Sequence, residues 1–108
     1  MIHVRIIKEP SGRISTFEMD GHANFAEHGQ DLVCAGASAV SFGAVNAIMQ
    51  LTSIEPDVEQ GTDGGYLRVS FPVTEQDAEV QLLLKAMIIS LQTIELDYAE
   101  FIKLSFEK

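Results

Sequence analysis

The sequence predicts an α+β fold, a single domain over residues 1–108 with the order ββαββαβ, in which a mostly antiparallel sheet packs against two helices. Short stretches of alternating apolar and polar residues, typical of strands, are separated by turn residues, whereas two longer stretches have helical spacing. The length of 108 residues suits one domain, and a hydrophobic content of 46% is sufficient for one core.

A β-hairpin is predicted at the start of the chain. Apolar and polar residues alternate over residues 2–7, as in a strand. Residues 9–12 then form a turn, because Pro10 fixes one backbone dihedral and Gly12 allows a positive φ. Residues 13–19 predict the second strand, and three of its side chains are expected on one face: Ser15, Phe17 and Met19.

A loop and a long helix follow. Residues 20–31 have no sustained period, so we expect a loop there. Helical spacing extends over residues 32–54, and Pro56 ends the helix because the residue before a proline avoids the α conformation. Gly36 and Gly43 lie among many small residues in the first half of this helix, which predicts the close approach of another backbone.

A second pair of strands is predicted after Pro56. Residues 57–60 indicate a weak strand, residues 61–65 a hairpin loop, and residues 66–71 a clear strand. The side chains expected on one face of this last strand are Leu67, Val69 and Phe71.

The second helix is predicted over residues 75–98, with Thr74 as its N-cap, and a final strand over residues 101–107. The final strand should place Ile102, Leu104 and Phe106 on one face. The helix is apolar around most of its circumference, and such a helix must be buried. Because a domain of this size offers limited cover, we expect a homodimer. The alternative is that the sheet and the first helix cover it alone.

The composition argues against several classes of function. Seven Lys and Arg residues against sixteen Asp and Glu residues give a net charge of −9, which argues against nucleic-acid binding because phosphate contacts need clustered basic residues. We expect no membrane-spanning segment, because no apolar stretch is judged to approach the roughly 20 residues that span a bilayer. We also expect no signal peptide. The single cysteine, Cys34, excludes an internal disulfide and suits the cytoplasm.

Two residues that can act as a base and a nucleophile lie near the two ends of the predicted loop. His22 follows the second strand and Cys34 lies near the start of the first helix, so the two can meet. An imidazole within hydrogen-bond distance of a thiol promotes formation of the thiolate. With Asp31 as the N-cap, Cys34 falls at the third helical position, where free backbone N–H groups also favour a thiolate. The pattern therefore makes His22 and Cys34 candidate catalytic residues.

Each of these residues also has a purely structural interpretation. A lone cysteine is more often a small buried hydrophobic residue than a nucleophile. Asp31 either caps the helix, which we slightly favour, or orients His22 as the third member of a Cys–His–Asp set. Ser38 lies one turn beyond Cys34 and either donates a hydrogen bond in the site or only packs as a small residue. One cysteine and three scattered histidines predict no metal site.

The run GHA at residues 21–23, followed by GQDLVCAGASAVSFGAVNAI at residues 29–48, resembles the ribosomal-processing cysteine protease family, Prp. The pairing of G-H-A with G-x-D-x-V-C-A-x-x-S is far more specific than a lone Cys and His. The resemblance implies that His22 is the general base and Cys34 the nucleophile. It also implies a cytoplasmic homodimer, without a cofactor, that removes a short N-terminal extension from a large-subunit ribosomal protein in bacteria.

The implied reaction is acyl transfer to the Cys34 thiolate. Backbone N–H groups around Cys34 and Ala35 are the expected oxyanion donors, and Gly21, Ala35 and Ser38 are expected to line the site. The loop over residues 23–30 should form one wall of the groove. Two other functions stay open at this point. One is a thiol redox sensor, which would lack a resolving cysteine in this chain, and the other is a non-enzymatic interaction module for ribosome assembly.

Overall fold

Five strands and two helices follow one another in the predicted order ββαββαβ, in a computed structural model that describes residues 1–21, 28–61 and 65–108, with only the backbone of residues 28–31. The predicted fold class is confirmed. The elements are β1 (Ile2–Lys8), β2 (Ile14–Asp20), α1 (His28–Leu51), β3 (Asp57–Gln60), β4 (Tyr66–Ser70), α2 (Asp77–Asp97) and β5 (Ile102–Glu107).

The strands form one mixed sheet in the order β3-β4-β2-β1-β5. Neighbouring strands are antiparallel except β1 and β5, which run parallel with Ile2 opposite Ile102. Side chains on one face of the sheet are buried, and α1 and α2 pack together over that face. The other face carries charged and polar side chains. The order leaves β3 and β5 at the two edges of the sheet.

A β-bulge in the first hairpin determines which side chains of β2 face the core. Ile7 pairs with Thr16 and Lys8 with Ile14, so Ser15 is left as an extra residue. This bulge turns Ile14 into the core, where Phe17 is also fully buried and its ring stacks on Phe71 at 6.2 Å between centroids. Phe17 and Met19 lie on the core side as expected, whereas Ser15 is only half-buried. Its hydroxyl instead donates to the Ile7 carbonyl.

The boundaries of α1 differ from the predicted ones at both ends. The helix begins at His28, so the predicted loop ends earlier, and Asp31 is the fourth helical residue rather than the N-cap. Cys34 is therefore the seventh residue of the helix and not the third. At the other end α1 stops at Leu51, because the Thr52 hydroxyl accepts the Ile54 N–H and turns the chain out of the helix.

The start of α2 also differs from the prediction. Thr74 lies two residues before the N-cap; its hydroxyl accepts the N–H of Gln76 and its carbonyl accepts that of Asp77. These two bonds form a turn that leads into the helix. Gln76 is the N-cap, without a side-chain capping bond, and α2 begins at Asp77.

The expectation that no segment is long enough to span a bilayer was wrong. By length and composition alone, Leu32–Leu51 is long and apolar enough to do so. The expectation overlooked that small residues such as alanine and valine add to the apolar content of this stretch. Here one side of the helix packs into the core through Val33, Ala37, Val45 and Ile48. The core helix of a soluble protein can have the same length and apolar composition.

Some apolar side chains of α2 and β5 are not covered. Leu82, Ile89 and Leu96 of α2 are 69%, 63% and 84% exposed, and their spacing of seven places them along one stripe. The sheet and α1 therefore cover only the opposite side of this helix. Phe106 is also exposed, contrary to the prediction that it shares the buried face of β5, and the Lys8 ammonium lies over its ring.

Candidate active site

Cys34 opens into a cavity of ≈ 220 Å³ between α1 and the sheet. Cys34 itself is half-buried and packs against the core. The sheet provides the apolar floor of the cavity, and the loop ends beside β2, β3 and β4 provide its rim. The remaining lining residues are Ile2, Met19, Gly21, Ser38, Phe42, Gln60, Gly61, Gly65, Tyr66 and Leu67.

One stripe of α1 forms a wall of this cavity. Cys34, Ser38 and Phe42 are four residues apart, so they lie on the same side of the helix over about 12 Å. Ser38 lines the cavity, in the position that we predicted. Ala35 is exposed on α1 but does not line the cavity, contrary to the expectation that it lines the site.

Gly21 brings the end of β2 to the same cavity. Its φ of +89° is a conformation that favours glycine, and its N–H donates to the Gly65 carbonyl at 3.1 Å. A Cβ at this position would overlap with the carbonyl oxygen of Met1. Gly21 is thus fixed against both β1 and the residue before β4. The chain leaves this point toward His22, which lies outside the described residues.

The other predicted features of the loop also lie outside the described part of the chain. These are residues 23–27 of the expected groove wall and the side chain of Asp31. Residues 28–30 belong to α1 and not to a loop. The structure therefore brings Gly21, Cys34 and Ser38 together at one cavity.

The expected oxyanion donors require a correction. In an α-helix each N–H beyond the first four bonds to the carbonyl four residues earlier. Because α1 begins at His28, the N–H groups of Cys34 and Ala35 are used within the helix. These two N–H groups are therefore not available to an oxyanion.

Charged side chains on the outer face of the sheet hold the end of β2 in place. Glu18 accepts hydrogen bonds from Arg5 at 2.7 Å, Tyr66 at 2.8 Å and Arg68 at 2.9 Å. Arg5 also donates to Asp20, the residue before Gly21, at 2.6 Å. These bonds connect β1, β2 and β4 directly behind the cavity.

The same contacts set the charge of this network. The hydrogen bond from Tyr66, followed by the bonds from the two arginines, lowers the pKa of Glu18 below its usual value, although burial opposes this shift. The bond to the Glu18 carboxylate raises the pKa of Tyr66. Glu18 is therefore an ionised acceptor at neutral pH. Among the described residues, no cluster of three His, Cys, Asp or Glu side chains is placed to hold a metal ion.

Comparison with known proteins shows the family of this chain. The family model described as cysteine protease Prp matches residues 1–103. The ribosomal processing cysteine protease Prp of Bacillus subtilis is 50% identical over 108 residues, covering 97% of this chain and 96% of the relative. The Prp of Staphylococcus aureus strain Mu50 is 48% identical over 107 residues, covering 99% of this chain and 100% of that protein.

Two solved structures of S. aureus Prp have the same fold over nearly the whole chain. The complex with a substrate peptide has a TM-score of 0.90 at 46% identity, and the complex with a covalently linked product peptide has a TM-score of 0.89 at 48% identity. Both cover 99% of this chain and 100% of the solved one. The predicted resemblance and the predicted class of enzyme, a cysteine protease, are confirmed. The chain is a member of the cysteine protease Prp family.

Proposed function

We propose that this protein is an endopeptidase that removes the N-terminal extension of a large-subunit ribosomal protein, with Cys34 as nucleophile and His22 as general base. One observation carries the proposal. The only cysteine of the chain lines a cavity that is also reached by Gly21, the residue directly before His22. The relatives, named ribosomal processing proteases, supply the class of substrate.

The reaction proceeds by two acyl transfers. His22 accepts the proton of the Cys34 thiol, and the thiolate attacks the scissile carbonyl carbon. The tetrahedral intermediate collapses as the C–N bond breaks, and His22 donates its proton to the leaving amine. Water, deprotonated by His22, then attacks the thioester, which releases the new carboxylate and restores the thiol.

The cavity and the charge fit this substrate. Ile2, Met19, Phe42 and Leu67 give the cavity apolar walls, which suit an apolar or aromatic side chain next to the cut. The net charge of −9 favours encounter with a ribosomal protein, since proteins that bind RNA are basic. The redox-sensor and assembly-module alternatives involve no cleavage of a peptide, whereas a solved relative carries a covalently linked product peptide. Because ribosomal proteins are made in the cytoplasm, we place the enzyme there.

The test is incubation with an extended ribosomal-protein precursor, followed by mass spectrometry. We expect the precursor to lose the mass of its extension. Cys34→Ser should fold and bind the precursor but leave it intact, because a hydroxyl is a much poorer nucleophile in this site. The matched control is Ser90→Ala on the exposed side of α2, which should cleave normally. Binding without cleavage by the wild type would support the assembly module, and thiol oxidation alone would support the sensor.

Asp31 is proposed to orient His22. The position of Asp31 inside α1 removes the N-cap role, so a folding defect from loss of a cap is not expected. Asp31→Asn should therefore lower kcat by orders of magnitude while the unfolding midpoint stays unchanged. Near-normal kcat in this variant would leave Asp31 without a role in catalysis.

A homodimer is proposed through the exposed stripe of α2. Leu82, Ile89 and Leu96 form an apolar surface that an isologous partner can bury. Light scattering at micromolar concentration should give the mass of two chains, and Ile89→Glu should give a folded monomer. A wild-type protein that stays monomeric would contradict the proposal.

A further inference from the structure

β3 is an edge strand whose hydrogen-bonding pattern can be followed residue by residue. It pairs with β4 on one side, and no other described strand pairs with it on the other side. The Gly61 N–H donates to the Tyr66 carbonyl at 3.0 Å, directly beyond the end of the ladder. This bond fixes which residues of β3 face β4, because hydrogen-bonded pairs alternate along an antiparallel ladder.

The alternation leaves a row of free backbone groups on the outer side. Gly61, Glu59 and Asp57 direct their N–H and C=O groups toward β4. Val58 and Gln60 direct theirs away from it, two residues apart and about 7 Å along the strand. The edge therefore offers two donors and two acceptors with the spacing that another strand requires.

This row of backbone groups ends at the cavity. Gln60 carries the last pair of outward groups, and both Gln60 and Gly61 line the cavity that Cys34 opens into. A strand added along β3 would thus reach the cavity that Cys34 lines. Its residues opposite Val58 and Gln60 would lie on the same side of the sheet as Leu67, which forms part of the cavity floor.

The charge of this edge also selects a partner. Glu55, Asp57 and Glu59 are all exposed, and residues 55–61 contain no lysine or arginine. Asp57 and Glu59 lie on the opposite side of the sheet from the cavity, in register with Ser70 and Arg68. A strand that alternates apolar residues toward the cavity with basic residues toward the outer face matches both sides.

We infer that the free edge of β3 binds the segment of the substrate next to the cut as an additional strand, and so directs the scissile bond to Cys34. This rests on the proposed function, which supplies a basic ribosomal protein as the substrate. The backbone groups of Val58 and Gln60 hold the peptide main chain, and the acidic side chains of Asp57 and Glu59 attract its basic residues.

A scan of N-methylated substrate peptides tests the inference with the wild-type enzyme. N-methylation removes one backbone donor and leaves the side chains unchanged. We expect kcat/KM to fall about tenfold at alternate positions near the cut and to stay near normal at the positions between them, since only every second N–H faces β3. Equal tolerance at all positions, with the unmodified peptide cleaved, would overturn the edge-binding inference.

A proline variant tests the same groups from the side of the enzyme. Val58→Pro removes one outward N–H but none of the bonds to β4, and prolines are accepted on edge strands for this reason. We expect KM to rise about tenfold with little change in kcat. The comparison variant, Val58→Ala, removes the side chain but keeps the N–H, so it should raise KM clearly less than Val58→Pro does.

The outcomes separate this inference from the proposed function. Thermal unfolding shows whether Val58→Pro is folded, and the peptide scan does not depend on that variant. A wild-type KM in a folded Val58→Pro protein, with cleavage intact, would refute the role of the edge and leave the protease. Failure of the wild type to cleave the unmodified precursor would instead refute the proposed function.

Discussion

Replacement of Gly21 by alanine should destabilise the protein more than the same change at Gly12. The two glycines have nearly the same backbone conformation, with φ values of +89° and +91°. Each alanine variant therefore carries a similar cost for a side chain at positive φ, about 1–2 kcal/mol. At Gly12 that is the whole cost, because a Cβ there would meet nothing within 4 Å.

Gly21 carries a second cost that comes from β1. Its Cβ would overlap with the carbonyl oxygen of Met1, which is backbone and cannot rotate away. Movement of Met1 would strain the adjoining hydrogen bond from the Ile2 N–H to the Phe101 carbonyl, at 2.8 Å. Loss of one such bond costs about 1 kcal/mol, so we expect a total of about 2–3 kcal/mol for Gly21→Ala.

Urea unfolding measures both variants. With equal m-values, Gly21→Ala should unfold at a clearly lower urea concentration than Gly12→Ala, and the difference should correspond to about 1 kcal/mol. Gly21→Ala should also reduce cleavage, because the chain continues from this residue to His22, whereas Gly12→Ala should not. Equal losses of stability in the two variants would refute the argument from the Met1 contact.

Three further changes have expected outcomes. Ser41→Ala should leave the melting temperature unchanged or raise it, since the buried Ser41 hydroxyl has no hydrogen-bond partner among the described residues; a clear loss would contradict this. Phe17→Ala should cost about 3–5 kcal/mol in urea unfolding, because the ring is fully buried; a loss below about 1 kcal/mol would contradict that burial. The folded state lowers the pKa of Glu18, so its contribution to stability is full above its unfolded pKa and is lost as the pH falls through the folded pKa. Glu18→Gln should therefore flatten the acid side of a stability–pH profile, and an unchanged profile would contradict this.

The elements of the fold could be predicted because their signals are local. The alternation over β1 and the turn at Gly12 are visible in neighbouring residues. The ends of the helices were less predictable, since long-range contacts determine them. The Ser53 N–H, for example, donates to the Gln76 side chain at 2.7 Å, across 23 residues of sequence.

Among the predicted site residues that the structure describes, Cys34 and Ser38 meet at one cavity because they share a helix. Cys34 and Ser38 are one turn apart, and the same spacing leads to Phe42, which the sequence analysis did not consider. Gln60 was also missed, and no local signal could have found it. Its place at the cavity depends on the pairing of β3 with β4 and of β4 with β2, which only the three-dimensional fold provides.

The parallel pairing of β1 with β5 has a consequence for the speed and order of folding. Ile2 and Ile102 are 100 residues apart in sequence, whereas His3 and Asp20 of the first hairpin are only 17 apart. Closing the longer loop costs about 1.6 kcal/mol more in chain entropy. We therefore expect β5 to dock after the rate-limiting step, so that changes in its core residues accelerate unfolding and leave the folding rate nearly unaffected. A strand that joins last also leaves first, and the lifetime of the folded enzyme then depends on how long β5 stays attached to β1.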